Sequence, residues 1–242
     1  MLKIIGYRYY SKKRKFDKFL ELLNKTLSES SIDYEIIIYA NKSLSDIGKD
    51  EKKLTAEVFD FSAYLSGIKH FNDQPSTPKS SFLFFNDTFI MQWPSRLILK
   101  RFICLINKNL FNLEVPFAIG RVEKSCNISS KLIDSMMTAT HFFLLNHNAV
   151  KYLEELIQNA NNINQYIPNN HLKVLEALTL DTSYFHNYKQ LDPSHPKMIT
   201  IKIEMALGIY IYNNGFMLDI FNSFYIRMIH RLKRKIFMRI YR

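Results

Sequence analysis

Cysteine, glycine and proline are all scarce in this chain of 242 residues: it has two, six and seven of them. The two cysteines, Cys104 and Cys126, have no metal-ligand spacing. They exclude a disulfide-stapled scaffold and a thiolate zinc site, and they suit a reducing compartment. So little glycine and proline excludes long flexible linkers and low-complexity segments. Long apolar runs are missing too. No stretch approaches the roughly 18 uninterrupted apolar residues that a membrane-spanning helix needs. The closest, 198–221, is broken by Lys202, Glu204, Asn213, Asn214 and Asp219. The apolar start, MLKII, is too short for a secretion signal. The last absence is local: after Asp219 there is no acidic residue.

What is present is apolar and aromatic. Hydrophobic residues make up 47% of the chain, with 19 Phe and 14 Tyr. That is enough for one sizeable core. The net charge of +11 is concentrated in two places. One is Lys12, Lys13, Arg14 and Lys15. The other is the acid-free C-terminus, with Arg227, Arg231, Lys233, Arg234, Lys235, Arg239 and Arg242. Without these eleven the body is neutral. Two cationic patches on a neutral domain suit an anionic partner: lipid head groups, a nucleotide diphosphate or nucleic acid.

Patterning predicts an alternating chain. Residues 3–10 (KIIGYRYY) read as a strand, and 34–40 (YEIIIYA) as another. Between them Phe16, Phe19, Leu20, Leu23 and Leu27 keep the rhythm of an amphipathic helix. Strand, helix, strand in about 40 residues is a βαβ unit and implies a parallel sheet. A short strand is expected at 56–60, a helix at 61–71, and a strand at 82–85. Further helices are expected at 95–107, 148–159, 171–180 and 201–213, with strands at 111–122 and 139–146. Loops are expected at 41–53, 72–81 and 181–197. On a helix, 219–242 would line Phe221, Tyr225, Met228, Leu232, Ile236 and Ile240 along one side and its cations along another.

The run Phe82-Leu83-Phe84-Phe85 stops at Asn86-Asp87-Thr88. In open α/β sheets ligands bind just beyond the carboxyl ends of strands. A carboxylate there can hold a divalent cation, and the cation a diphosphate. The plainer reading of Asn-Asp is a turn.

Three stretches stand in order: VFDFSAYLSG at 58–67, FLFFNDTF at 82–89 and THFFLLN at 140–146, followed later by EMALGIYIYNNGF at 204–216. In this order the chain resembles the bacterial rhamnan-synthesis-F-like glycosyltransferases, relatives of the GT-A nucleotide-sugar transferases. The resemblance implies an α/β, GT-A-like (Rossmann-like) fold: a mostly parallel sheet flanked by helices. Its transferase domain would cover 1–218, a nucleotide-sugar-binding half at 1–120 and an acceptor half at 121–218, with a basic amphipathic tail at 219–242. It implies that Asp87 holds Mn²⁺ or Mg²⁺ against the diphosphate. It places Asp60, with Tyr7, Arg8, Tyr9, Asn41 and Asn86, at the nucleotide-sugar. It also makes Glu204 the acidic residue of the late helix. The chain has Asn86-Asp87 where two acids are usual, and one carboxylate makes a weaker site for a hard cation.

Sugar transfer from a nucleoside diphosphate passes through an oxocarbenium-like state. The leaving diphosphate needs positive charge, from a cation or from Arg8 and the cluster at Lys12. The acceptor hydroxyl needs a base, for which Glu204 and Asp134 are the candidates. The expected product is a lipid-linked or cell-surface glycan, polysaccharide or lipopolysaccharide. The enzyme would sit on the inner face of the cytoplasmic membrane. Arg227, Arg231, Lys233, Arg234, Lys235 and Arg239 would bind anionic lipid, at roughly 1 kcal/mol each. Two rivals stand beside this reading: a nucleic-acid-binding α/β protein, and an inactive GT-A-like scaffold in a glycan-assembly complex. Against the first, no nucleic-acid module is legible.

Overall fold

A computed structural model of the chain describes residues 1–55, 59–73, 80–93, 95–106, 114–124, 136–173, 195–221, 226 and 228–229. Its strands are β1 (Leu2–Arg8), β2 (Tyr34–Asn41), β3 (Glu51–Leu54), β4 (Ser81–Asn86), β5 (Phe117–Lys124), β6 (Met136–Leu145) and β7 (Phe216–Asp219). The helices used below are α1 (Lys13–Glu29), α2 (Phe59–Asn72), α3 (Asp87–Gln92), α4 (Ser95–Leu105), α5 (His147–Gln158) and α6 (Pro196–Asn214). The strands form one seven-stranded sheet in the order β3-β2-β1-β4-β6-β5-β7. Only β6 runs against its neighbours; the other pairings are parallel.

The strands at the centre are apolar on both faces because helices cover both. All six residues of β4 and all seven of β1 are buried. Side chains alternate between two cores, as a period of two requires. Ile5, Tyr7, Phe82, Phe84, Phe143 and Leu145 face α2, α5 and α6. Leu2, Ile4, Leu83, Phe85, Phe142 and Leu144 face α1, α3 and α4. Ring stacking knits the first core, with Phe84 and Phe143 centred 4.8 Å apart and Tyr64 tilted over Phe84 at 5.0 Å. Two glycines permit close approaches. A Cβ on Gly67 would sit 2.6 Å from Ile5, so α2 lies directly on β1. One on Gly215 would overlap the Pro116 carbonyl oxygen at 1.6 Å, where α6 turns into β7.

Several elements differ from the sequence reading. The third strand among the described residues is Glu51–Leu54, mostly within the expected loop; of the strand expected at 56–60, residues 59–60 open α2 and 56–58 lie outside the described residues. It is a charged edge strand with two exposed lysines, so it carries no apolar alternation to read. Asp60 therefore stands in the first turn of α2 and not at a strand end. Asn-Asp-Thr is the start of a helix: Asn86 caps α3 by accepting from the Phe89 N–H at 3.1 Å. The basic cluster opens α1, whose first turn holds no acid. That arrangement opposes the helix dipole, at about 0.3–1 kcal/mol per charge. The Lys13 N–H donates to Asp46 and its ammonium pairs with Asp17 at 2.8 Å, which offsets part of the cost. Helix α6 begins at Pro196, within the expected loop 181–197. The short strand β7 lies where no strand was expected.

The proposed boundary at 218 and 219 does not coincide with a break in the core. Ile220, Phe221 and Ile226 are buried in the second core, with Phe221 edge-on to Trp93 at 4.7 Å. The halves 1–120 and 121–218 share one continuous sheet. The cations Arg227, Arg231, Lys233, Arg234, Lys235 and Arg239 lie outside the described residues. Among the described residues, no helix is long and apolar enough to cross a membrane.

Candidate functional site

The strand order fixes where a ligand fits. From β1 the chain moves through α1 to β2 and β3 on one side, then returns through α2 to β4 on the other. Helix α1 packs on one face of the sheet and α2 on the opposite face. The order therefore reverses between β1 and β4, the kind of switch point beyond whose carboxyl ends open α/β sheets bind ligands. Tyr7 and Asn86 are paired in register there.

Asp87, the first residue of α3, is fully buried. Its Oδ2 accepts three successive backbone N–H groups, from Tyr9 at 2.9 Å, Tyr10 at 2.8 Å and Ser11 at 2.7 Å. Such a run of amides is an anion nest, and here the chain's own carboxylate fills it. Its Oδ1 is buried with no hydrogen-bond partner among the described residues. Burial raises the carboxyl above its ordinary range, and the amides of Tyr10, Ser11 and Tyr9 oppose that rise.

Arg8 leaves β1 beside this loop and is also fully buried. Its guanidinium donates to Glu51 through Nε and Nη2, both at 2.7 Å. It also reaches the Asp46 carboxylate at 2.7 Å and the backbone carbonyls of Ser11 and Asp46. All five N–H donors are thereby engaged. Arg8 holds the 41–50 connection and β3 against β1; it has no donor left for a diphosphate. Asn41 ends β2, and its side-chain oxygen accepts from the Ser43 N–H at 3.1 Å.

The other side of the crevice is less settled. Asn86 donates its amide to Asp60, a half-buried carboxyl in the first turn of α2. Burial and the negative charge of Asp87 push Asp60 up to about 7; Lys197 and the Asn86 amide pull the other way, and Glu204 adds to the rise. Lys197 and Glu204 stand seven positions apart on α6, so they share a helix face. Glu204 is buried at 7% exposure. The Tyr7 hydroxyl is buried without a hydrogen-bond partner among the described residues. Burial, followed by Asp60, pushes its phenol up, so it remains protonated. Tyr9 is exposed at the rim, its ring 6.0 Å from that of Tyr7 and 6.1 Å from that of Tyr10.

Of the residues singled out in the sequence, the structure thus gathers Tyr7, Tyr9, Asp60, Asn86, Asp87 and Glu204. Asn41 ends the neighbouring strand β2, whose Ala40 pairs with Arg8, and Asp134 lies outside the described residues. Lys197 was missed. Its signal was Pro196, since proline favours the first position of a helix. The residues present do not fit a divalent cation at Asp87. One oxygen is committed to three amides and the side chain is sealed from solvent. Among the described residues, no group of three ligating side chains comes together.

No protein-family model matches the chain, and no curated protein matches it in sequence.

Proposed function

We propose that this chain is a GT-A-type glycosyltransferase. It binds a nucleotide-sugar between β1 and β4 and moves the sugar to a growing glycan at the inner membrane face. One observation carries the reading. The carboxyl ends of β1 and β4, between which the strand order reverses, bring together residues for which the resemblance implies nucleotide contact, Tyr7, Tyr9, Asp60 and Asn86. A mostly parallel sheet flanked by helices is compatible with that fold.

The residues divide the work as follows. Tyr9, exposed at the rim, offers a flat face for the base. The loop amides are held by Asp87, so loop 9–11 is positioned before the ligand arrives. Lys197, at the start of α6 and within electrostatic reach of Asp60, supplies positive charge to a leaving diphosphate, together with the N-terminus of its helix. Asp60, with a pKa near 7, is half ionised at neutral pH and suits proton exchange with an acceptor hydroxyl. Glu204 holds the alternative base position. The basic C-terminus would keep the enzyme on anionic lipid near a lipid-linked acceptor.

A thermal-shift screen of nucleoside diphosphates and sugar nucleotides tests the reading, because a ligand that binds only the native state raises its melting temperature. We expect stabilisation by a nucleoside diphosphate that survives EDTA, and slow hydrolysis of the matching sugar nucleotide. A flat screen with every base removes the proposal. Stabilisation by generic RNA with none by nucleotides transfers it to the nucleic-acid reading.

A further inference from the structure

At the opposite end of the sheet lies a second cleft, of about 490 Å³. Strand β6 runs antiparallel to β4, with Leu145 opposite Phe82. Asn146 and the start of α5 therefore stand at the amino end of β4. Helix α6 starts at the crevice and ends here. Tyr210 is roughly 20 Å along the helix from Lys197 at about 1.5 Å per residue. The cleft is lined by Glu114, Asn148, Lys151, Tyr152, Glu155 and Tyr210, among others. Its volume lies in the range of small-ligand sites.

We propose that this cleft is a carbohydrate-binding subsite, separate from the crevice, that takes a neutral sugar unit of a glycan. The first ground is its aromatic wall. Tyr152 and Tyr210 are stacked with ring centres 3.8 Å apart and planes 16° apart. Tyr166 meets Tyr152 edge-on at 6.1 Å and is fixed by donating its hydroxyl to Glu155 at 2.9 Å. A pyranose has an apolar C–H face and a rim of hydroxyls. A tyrosine wall offers it a flat apolar surface with a polar edge.

The second ground is unspent hydrogen bonding. Among the described residues the Tyr152 and Tyr210 hydroxyls and the Lys151 ammonium have no hydrogen-bond partner. Asn148 spends its amide nitrogen on the Glu114 carbonyl, which leaves its own carbonyl oxygen to accept. Burial pushes the Tyr152 phenol up to about 12, so it stays a donor. These groups stand on α5 and α6, and elements of this kind place a site more tightly than loops do. The Asn146 side chain, which caps α5 and accepts from the Phe117 N–H at 3.1 Å, ties the cleft floor to β5.

The third ground is charge. Among the described lining residues Glu155 is balanced by Lys151, so these two leave no excess of positive charge for phosphate or anionic lipid, and the Glu155 carboxylate can accept from sugar hydroxyls. The proposal stands whether or not the crevice binds a nucleotide, and its test uses no nucleotide donor.

The full chain is applied to an array of neutral, N-acetylated and acidic oligosaccharides, and the strongest neutral ligand is titrated by calorimetry. We expect binding that Tyr210→Ala weakens tenfold or more. The double variant Tyr152→Phe/Tyr210→Phe keeps the stack and loses the hydroxyls; it should weaken binding about threefold to tenfold. An excess of uridine or guanosine diphosphate should not displace the glycan. Four results overturn the proposal: no neutral glycan bound, binding of acidic glycans only, affinity indifferent to the double Phe variant, or displacement by the diphosphates. Circular dichroism checks folding; if Tyr210→Ala misfolds, the double Phe variant decides.

Discussion

The two sides of the crevice between β1 and β4 handle charge in opposite ways. On the β1 side the charges are held by fixed partners: Oδ2 of Asp87 by three amides, Arg8 by two carboxylates and two carbonyls. On the α2 and α6 side, Asp60 and Glu204 crowd together with Asp87 in electrostatic reach, and Lys197 offsets them incompletely. Satisfied networks rigidify; crowded acids keep a proton that can move. Acids lining one crevice therefore have different jobs. The sequence resemblance gives Asp87 the chemical role, whereas the geometry makes it the residue that shapes the loop; under the proposed function, proton exchange falls to Asp60 and its neighbours.

Removing the loop anchor should break this contrast most severely. Asp87→Ala leaves three amides of a buried loop without their acceptor. Charge-assisted bonds of this kind suggest a loss of about 3–5 kcal/mol. At about 2–4 °C per kcal/mol for a chain of this size, the melting temperature should fall by about 6–20 °C. Asp87→Asn retains an acceptor and should lose less. Urea unfolding followed by Trp93 fluorescence measures both. A variant as stable as wild type would mean that the nest does not hold the loop. Arg8→Met should come next, at about 2–4 kcal/mol, because Asp46 and Glu51 would be left facing each other.

Asp60→Asn probes the crowded side, and its effect changes sign with the property measured. The folded carboxyl titrates near 7 against 3.8 for the free group. The native state therefore binds protons more tightly than the unfolded chain between about pH 4 and pH 7, and wild-type stability falls as pH rises through that window. The variant lacks this decline. Its melting temperature should exceed that of wild type at pH 8 and match it near pH 4, while hydrolysis of sugar nucleotides is lost. Equal melting curves for the two proteins at pH 8 would show that Asp60 is not strained in the native state.

The central sheet was legible because its chemistry is periodic. The apolar runs of β1, β2 and β4 and the rhythm of Phe16, Phe19, Leu23 and Leu27 could be read directly, since burial on two faces leaves little else to put there. Strand β3 was not, because an edge strand written EKKL takes its identity from pairing with β2 and not from its own side chains. Asn86 looked like a turn residue and is a helix cap; the same short polar side chain serves both uses. Arg8 looked like a free cation because its partners, Asp46 and Glu51, are 38 and 43 residues away. A list of residue types named several residues that meet at the ends of β1 and β4, yet it could not show which charges were already spent.

Lys197 and Glu204 sharpen the comparison by small, opposite amounts. Lys197 lowers the Asp60 carboxyl, so Lys197→Ala should move its midpoint above 7. The substitution should also weaken nucleoside diphosphate binding about tenfold, since about 1.4 kcal/mol of charge interaction is at stake. Glu204 is the weakest of the influences that raise Asp60. Glu204→Gln should thus lower the midpoint slightly, less than Lys197→Ala raises it, as followed by ¹³C carboxyl shifts across pH 4–9. A Glu204 that is only a buried acid in the packing of α6 should change this midpoint and leave turnover intact. If turnover collapses while the Asp60 midpoint barely moves, Glu204 itself takes the acceptor proton, and Asp60 returns to the role of holding Asn86.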